Sequence, residues 1–322
     1  MSKKRLAIFT ATGCSACENA VMDIHYQVAS LTRWADISFW PYLLGSSWED
    51  LESGPPVDVC VFAGAIGTEA DRQAALRLRE KSKIMVACGA CAAFGGLLGL
   101  TNLAPDSSEA SADAAAEPLV PVREPNVLGL SAAVRVDYFV PGCPVPQNLL
   151  WAAIQSLVCG GEAPTRISFA ASRLPEAIAL SIASGVLPPH GSTFAGEKAV
   201  CASCSRVKEE KKFKLFERPY EINPDTSRCL LEQGLICQGL ATREGCGGLC
   251  TAIAAGCRGC FGKAEAVYDP GAKMVSAIAS TFDSADAAEI EAMSNKFVDL
   301  AGTFYRYTLP TQCALMAAPA EE

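Results

Sequence analysis

A chain of 322 residues, half of them hydrophobic and 19% charged, holds enough apolar material for two domains, each with its own core. Its formal net charge of −8, with no basic stripe along the chain, excludes the phosphate-tracking surface that nucleic-acid binding requires. The anomaly is sulfur: 16 cysteines stand against 2 histidines, His25 and His190. In a large chain that carries no export signal, so many thiols point to metal rather than to disulfides. The shortage of histidine favours thiolate-only, iron–sulfur ligation over mixed zinc sites.

In chain order, the first apolar run follows Lys3, Lys4 and Arg5. It falls short of the roughly 7–15 residues that the core of a secretory leader needs, and it reads as a buried first strand. Residues 6–9, 57–62, 84–87 and 136–140 have the continuous apolar character of strands covered on both faces. Helical spacing occupies 19–31, 68–81 and 145–158. Such alternation builds an α/β fold, a flavodoxin-like doubly wound parallel sheet, expected over residues 1–165. Residues 84–105 are uncharged and long enough to cross a bilayer, but Gly89, Gly95, Gly96, Gly99 and Asn102 interrupt them. No membrane span is expected, and the protein is placed in the cytoplasm. The acidic, small-residue segment 105–117 reads as a surface loop.

From about residue 195 the pattern changes. Cysteines become dense, strands disappear and spacing is irregular, as in a mostly irregular and helical domain, 195–322, folded around its metal. A last helix is expected over 285–305, capped from Asp283-Ser284. It would dock Ile290, Met293, Phe297, Leu300 and Phe304 on the core along one face.

Four cysteines of the first half share one position relative to the sheet. Cys14 and Cys17 follow the first strand as C-x-x-C, Cys91 follows the strand at 84–87, and Cys143, in Pro-Gly-Cys-Pro, follows the strand at 136–140. Loops after strand carboxyl ends converge on one crevice in a doubly wound sheet, so these four can meet although far apart in sequence. Taken alone, the C-x-x-C pair leaves a redox dithiol and zinc open. Cys88 forms a competing C-x-x-C with Cys91, but belongs to the strand end as a buried thiol beside the site. Cys60, Cys159 and Cys313 lack partners at metal spacing and read as core.

Eight cysteines remain, the number that two four-thiolate sites need: Cys201-x-x-Cys204, Cys229, Cys237, Cys246-x-x-x-Cys250 and Cys257-x-x-Cys260. Structural zinc is the competing occupant here.

Together these motifs resemble a known family. Gly13-Cys14-x-x-Cys17-Glu18, the segment Gly89 to Gly96 around Cys91, and Pro141-Gly142-Cys143-Pro144 are similar to the proximal-cluster motifs of nickel–iron hydrogenase small subunits, a domain shared with the 20-kilodalton subunit of respiratory complex I. The stretches 229–237, 256–260, 271–280 and 302–310 narrow the resemblance to the cytosolic methyl-viologen-reducing hydrogenase small (gamma) subunit, which is associated with heterodisulfide reductase. The resemblance implies three 4Fe-4S clusters: a proximal one on Cys14, Cys17, Cys91 and Cys143, a medial one on Cys246, Cys250, Cys257 and Cys260, and a distal one on Cys201, Cys204, Cys229 and Cys237. It also implies a catalytic large subunit that holds the nickel–iron centre. Electrons from hydrogen oxidation there would pass along this chain to an acceptor such as a 2Fe-2S linker subunit or heterodisulfide reductase. Cys201 stands where the periplasmic relatives place a histidine, a departure that favours the cytosolic type.

Glu18, next to a cluster ligand, is the candidate for a proton relay toward the large subunit; the plain alternative is a first-turn helix acid. Two rival functions differ in class: a small-subunit-like electron-transfer module of a complex-I-like or bifurcating assembly without nickel, and a zinc-stapled interaction protein. No nucleophile elbow, P-loop or dinucleotide glycine fingerprint supports small-molecule catalysis.

Overall fold

The computed structural model describes residues 3–23, 30–104, 122–159 and 186–312, with only the backbone described at Cys159. The loop expected at 105–117, most of the connector after 159, His25 and Cys313 lie outside the described residues.

Among the described residues there are eight strands: β1 (Lys4–Thr10), β2 (Ala35–Phe39), β3 (Val57–Ala63), β4 (Ile66–Thr68), β5 (Ser82–Cys88), β6 (Arg123–Leu128), β7 (Tyr138–Val140) and β8 (Ser192–Thr193). Six of them form one sheet in the order β2-β1-β3-β5-β7-β8, every pairing parallel. This is the doubly wound order expected, and the chain reverses direction across the sheet between β1 and β3. The four strands read from sequence are β1, β3, β5 and β7. Four further strands escaped that reading. β2 is an edge strand with an exposed Asp36, β8 has two residues, and β6 carries Pro125 where it pairs antiparallel with β4.

Side chains of the central strands alternate between two cores, as a pleated sheet buried on both faces requires. Leu6, Ile8, Val59, Val61 and Val86 face the helix Gln147–Cys159 and the short helix Ala16–Met22. Ala7, Cys60, Phe62, Met85 and Ala87 face the opposite way, toward Leu51 and Leu78 of the helices Trp48–Ser53 and Glu69–Lys81. Cys60 is thus a core residue, fully buried.

The second half is built from turns, 3-10 segments and short helices around its own core of Phe213, Phe216, Met274, Ile278 and Phe282. It is not separate from the sheet. Phe194, Ala195 and Phe261 lie in the first core, and the helix Leu309–Gln312 returns to the segment after β5, where Thr311 Oγ1 donates to the Phe94 carbonyl at 3.4 Å.

The single last helix expected over 285–305 is two helices, Ala287–Ser294 and Leu300–Phe304. Asp286, not Asp283 or Ser284, caps the first, and Asp299 caps the second by accepting from Gly302 N–H. A short acidic side chain that can bond nearby backbone competes with helix continuation, which breaks the run at 295–299. Met293, Phe297 and Phe304 reach the core, whereas Ile290 is 41% and Leu300 58% exposed. The expected continuous face is therefore interrupted.

Candidate metal centres

The first cysteine set stands at the carboxyl ends of β1, β5 and β7. Cys14 lies in the turn after β1, Cys17 opens the helix Ala16–Met22, Cys91 sits in the helix Gly89–Phe94, and Cys143 is in the loop after β7. All four lie close enough to act on one another's charge. Burial, then Cys143, Cys17 and Cys14, push the Cys91 thiol up to about 12. Burial, then Cys17 and Cys14, raise Cys143, while a hydrogen bond from Tyr307 works the other way. Cys17 is the exception, held down at about 7 chiefly by a hydrogen bond from the Cys88 thiol, against the cost of burial. Cys88, the last residue of β5, is buried, and the same bond and its burial raise it well above its usual range.

Two glycines keep room for these sulfurs. At Gly89 (φ +87°) a Cβ would collide with Cys17 Sγ, and at Gly96 (φ +64°) it would come 2.5 Å from Cys91 Sγ. Both positions also demand backbone that L side chains rarely adopt.

The other eight thiols form two neighbouring groups that meet at Cys237 and Cys257, where burial and then Cys237 push Cys257 up to about 12. Burial, then the charges of Cys237, Cys229 and Cys204, push Cys201 up to about 12. Cys260 is raised by burial, then by Cys257, Cys246 and Cys250, and Cys250 by burial and then Cys246. Gly239 borders the first of these groups, where a Cβ would lie 3.3 Å from Cys201 Sγ and 3.6 Å from Cys237 Sγ. Side chains of neighbouring segments reach the sulfurs: Cys204 Sγ and the Thr251 hydroxyl are 3.3 Å apart.

Cross-links put the three sets in a row. The Cys143 backbone lies beside the Cys260 sulfur and favours its ionised form, so the first set meets the set of Cys246, Cys250, Cys257 and Cys260 there. The Cys257 backbone N–H donates to Cys237 Sγ at 3.3 Å, joining that set to Cys201, Cys204, Cys229 and Cys237. Tyr307 stands at the first junction, its hydroxyl pushed up to about 12 by burial and then by Cys143 and Cys260. Among the described residues, no three His, Cys, Asp or Glu side chains close on one point tightly enough to share a single metal ion.

The donor chemistry fits iron–sulfur ligation. Each set offers four thiols, and in each set burial and neighbouring thiols hold some of them, such as Cys91, Cys201 and Cys260, above their ordinary range, where a bound cation would favour the thiolate.

Glu18 is 2% exposed and accepts a hydrogen bond from the Trp40 indole N–H. Trp40 follows β2, a strand absent from the sequence reading, so nothing in the sequence brought it to Glu18. Asp71, which accepts from the Thr12 N–H and hydroxyl two residues before Cys14, and Tyr307 are also new to the site. Asp71 could have been suspected only as the third residue of the capping box that Thr68 opens.

Known proteins resemble this chain in sequence and in fold. The family model for the 20 Kd subunit of NADH ubiquinone oxidoreductase matches residues 14–157. The G-type subunit of an F420-non-reducing hydrogenase from Methanothermobacter thermautotrophicus is 32% identical over 314 residues, covering 92% of either chain. Its vhu counterpart in the F420-non-reducing hydrogenase of Methanococcus voltae is 31% identical over 319 residues, 96% of either chain. The recombinant [NiFeSe] hydrogenase of Desulfovibrio vulgaris Hildenborough shares the fold, with a TM-score of 0.50 at 18% identity over 81% of this chain and 94% of that one. The chain belongs to the nickel–iron hydrogenase small-subunit family, and within it to the G-type subunits of F420-non-reducing hydrogenases. Among the described residues, no helix is long and apolar enough to cross a membrane.

Proposed function

We propose that this chain is the electron-transfer subunit of a cytoplasmic nickel–iron hydrogenase. It would take electrons from hydrogen oxidation in a large subunit and deliver them, by way of three 4Fe-4S clusters, to a heterodisulfide-reductase-type acceptor or a 2Fe-2S linker subunit. The observation that carries this is the row of three four-thiol sets joined by the Cys143–Cys260 and Cys257–Cys237 contacts.

Cys14, Cys17, Cys91 and Cys143 would hold the proximal cluster, Cys246, Cys250, Cys257 and Cys260 the medial one, and Cys201, Cys204, Cys229 and Cys237 the distal one. A bound cluster supplies one-electron acceptance and release at a potential set by its surroundings. The protein supplies those surroundings. Backbone N–H groups of Cys257 and Gly239 donate to Cys237, the Cys88 thiol donates to Cys17, and burial withholds water. Residues 1–165 would act as the domain of the proximal cluster and 195–322 as that of the other two.

The Glu18 carboxylate, one residue from Cys17 and fixed by Trp40, would hold a proton in transit to or from the large subunit.

The test is anaerobic metal analysis and EPR of the native complex before and after hydrogen. About twelve irons per chain, the content of three cubanes, with nickel in the co-purified partner and signals that grow under hydrogen, is the expected result. The match of residues 14–157 to the complex I subunit model favours one other reading, an electron-transfer module without nickel. The same iron without nickel or a hydrogen response would establish that instead. Zinc in place of iron would overturn both.

A further inference from the structure

Asp71 lies in the first turn of the helix Glu69–Lys81, and as the third residue after Thr68 it completes a capping box. A capping box uses one carboxylate oxygen for the N-cap residue and needs nothing further away. Asp71 does more. Its Oδ1 accepts from the Thr12 backbone N–H at 3.0 Å, and its Oδ2 from the Thr12 hydroxyl at 2.6 Å. Oδ2 also receives the Gly67 N–H at 3.2 Å, the Thr68 N–H at 2.9 Å and the Thr68 hydroxyl at 2.7 Å. The carboxylate is 8% exposed, so these donors stand where water would otherwise be.

Thr12 is two residues before Cys14, in the turn that leaves β1. That turn has a second attachment to the same segment, where the Ala65 N–H donates to the Thr12 carbonyl at 2.8 Å. The fit is close: a Cβ on Gly67 would meet the Thr12 side chain at 3.2 Å, and one on Gly64 would meet the Ala11 backbone at 2.6 Å. The first ligand loop is therefore tied laterally to an element 59 residues on, through one buried carboxylate. Arg72 Nη2–H in turn donates to Glu124 Oε2 at 2.9 Å, fastening the start of the helix to β6.

We propose that Asp71 is a positioning residue for the proximal cluster, fixing the Thr12–Cys14 turn so that Cys14 is held in ligating register with Cys17, Cys91 and Cys143. This rests on the assignment of those four cysteines as cluster ligands. An anion fixed beside one ligand turn also biases the nearest cluster toward its oxidised, less negative form, because hydrogen bonds and net charge around the sulfurs set cluster potentials.

Three variants of the complete hydrogenase complex separate this role from helix capping: Thr12→Val, Asp71→Asn and Thr68→Ala. The readouts are iron per chain, the EPR lineshape of each cluster and an EPR-monitored redox titration. Thr12→Val and Asp71→Asn are expected to broaden or remove the proximal signal alone, with up to about four of the roughly twelve irons lost. Where the cluster survives in Asp71→Asn, its reduced fraction at a fixed potential rises at least threefold. Thr68→Ala breaks the cap but leaves Thr12 bonded to Asp71; it is expected to lower the unfolding temperature while the proximal spectrum stays unchanged. An unchanged proximal spectrum and iron content in both Thr12→Val and Asp71→Asn would overturn the proposal. So would an equal effect of Thr68→Ala, which would leave Asp71 a cap and nothing more. Parent complex without iron would instead defeat the cluster assignment on which the proposal stands.

Discussion

At the scale of single residues, the site depends on what is left out as much as on what is present. Replacing Gly89 by Ala would drive a methyl group into Cys17 Sγ on backbone at φ +87°. Gly89→Ala is expected to yield complex short of the proximal cluster, seen as missing iron and a missing EPR signal with the other two retained. Glu18→Gln keeps the shape of the side chain and removes its charge. Hydrogen–deuterium exchange is expected to fall roughly tenfold or more, as for loss of a positioned acid–base group, while viologen reduction by an artificial donor is unaffected. Full exchange in that variant would return Glu18 to the role of a helix acid. At this scale the sequence was informative wherever chemistry is written in spacing: the five C-x-x-C or C-x-x-x-C pairs, the competing Cys88–Cys91 among them, could be seen at once. Trp40 and Tyr307 could not be, because their relevance comes from a tertiary approach across 22 residues in one case and from the far end of the chain in the other.

At the scale of elements, caps decide where helices begin and end. Asp269 accepts from Ala272 N–H at 2.9 Å to start the helix Pro270–Thr281. It also accepts from the Tyr305 hydroxyl at 2.5 Å, coupling that helix to the next but one. Asp269→Ala is expected to cost about 1–2 kcal/mol in a urea titration of the loaded protein, more than a cap alone because the Tyr305 bond goes with it. The break at 295–299 follows the same logic. A sequence period of three and four residues persists across it, and periodicity cannot register that Asp299 prefers to cap. β2 was missed for the complementary reason. One half-exposed edge strand lacks the continuous apolar run that made β1, β3 and β5 readable.

At the scale of the whole molecule, Asp137 is the electrostatic tie at the amino end of β7. Its carboxylate, 4% exposed, pairs with Arg79 at 2.6 Å and His190 at 3.0 Å, and accepts from Met85 N–H at 2.8 Å. Burial alone would raise its pKa, but these bonds outweigh it and hold the group below the usual aspartate value of 3.8. The stabilisation is therefore fully present above 3.8 and is lost as pH falls through the lower folded value. Asp137→Asn is expected to flatten the acid limb of the stability profile in that window and leave the neutral region lower throughout. Removing iron with a chelator under reducing conditions is expected to act unevenly. The segment from Cys201 to Cys260, poor in regular structure, should become protease-sensitive, while the sheet persists on its two apolar cores.

The docking of the helix Leu309–Gln312 on the Cys91-bearing segment has a consequence for how the molecule is made. Thr311 and Phe94, joined by a hydrogen bond, are 217 residues apart, and Pro310 packs against Gly95 and Gly99. At synthesis rates of about 5–20 residues per second, a ribosome delivers one partner on the order of ten to forty seconds after the other. During that interval Cys14, Cys17, Cys91 and then Cys143 have all emerged, with the sheet strands that carry them, while the element that will seal their flank is still unwritten. For that interval the nascent chain carries the first thiol set without the element that later packs on Gly95, Gly99 and Phe94 beside Cys91.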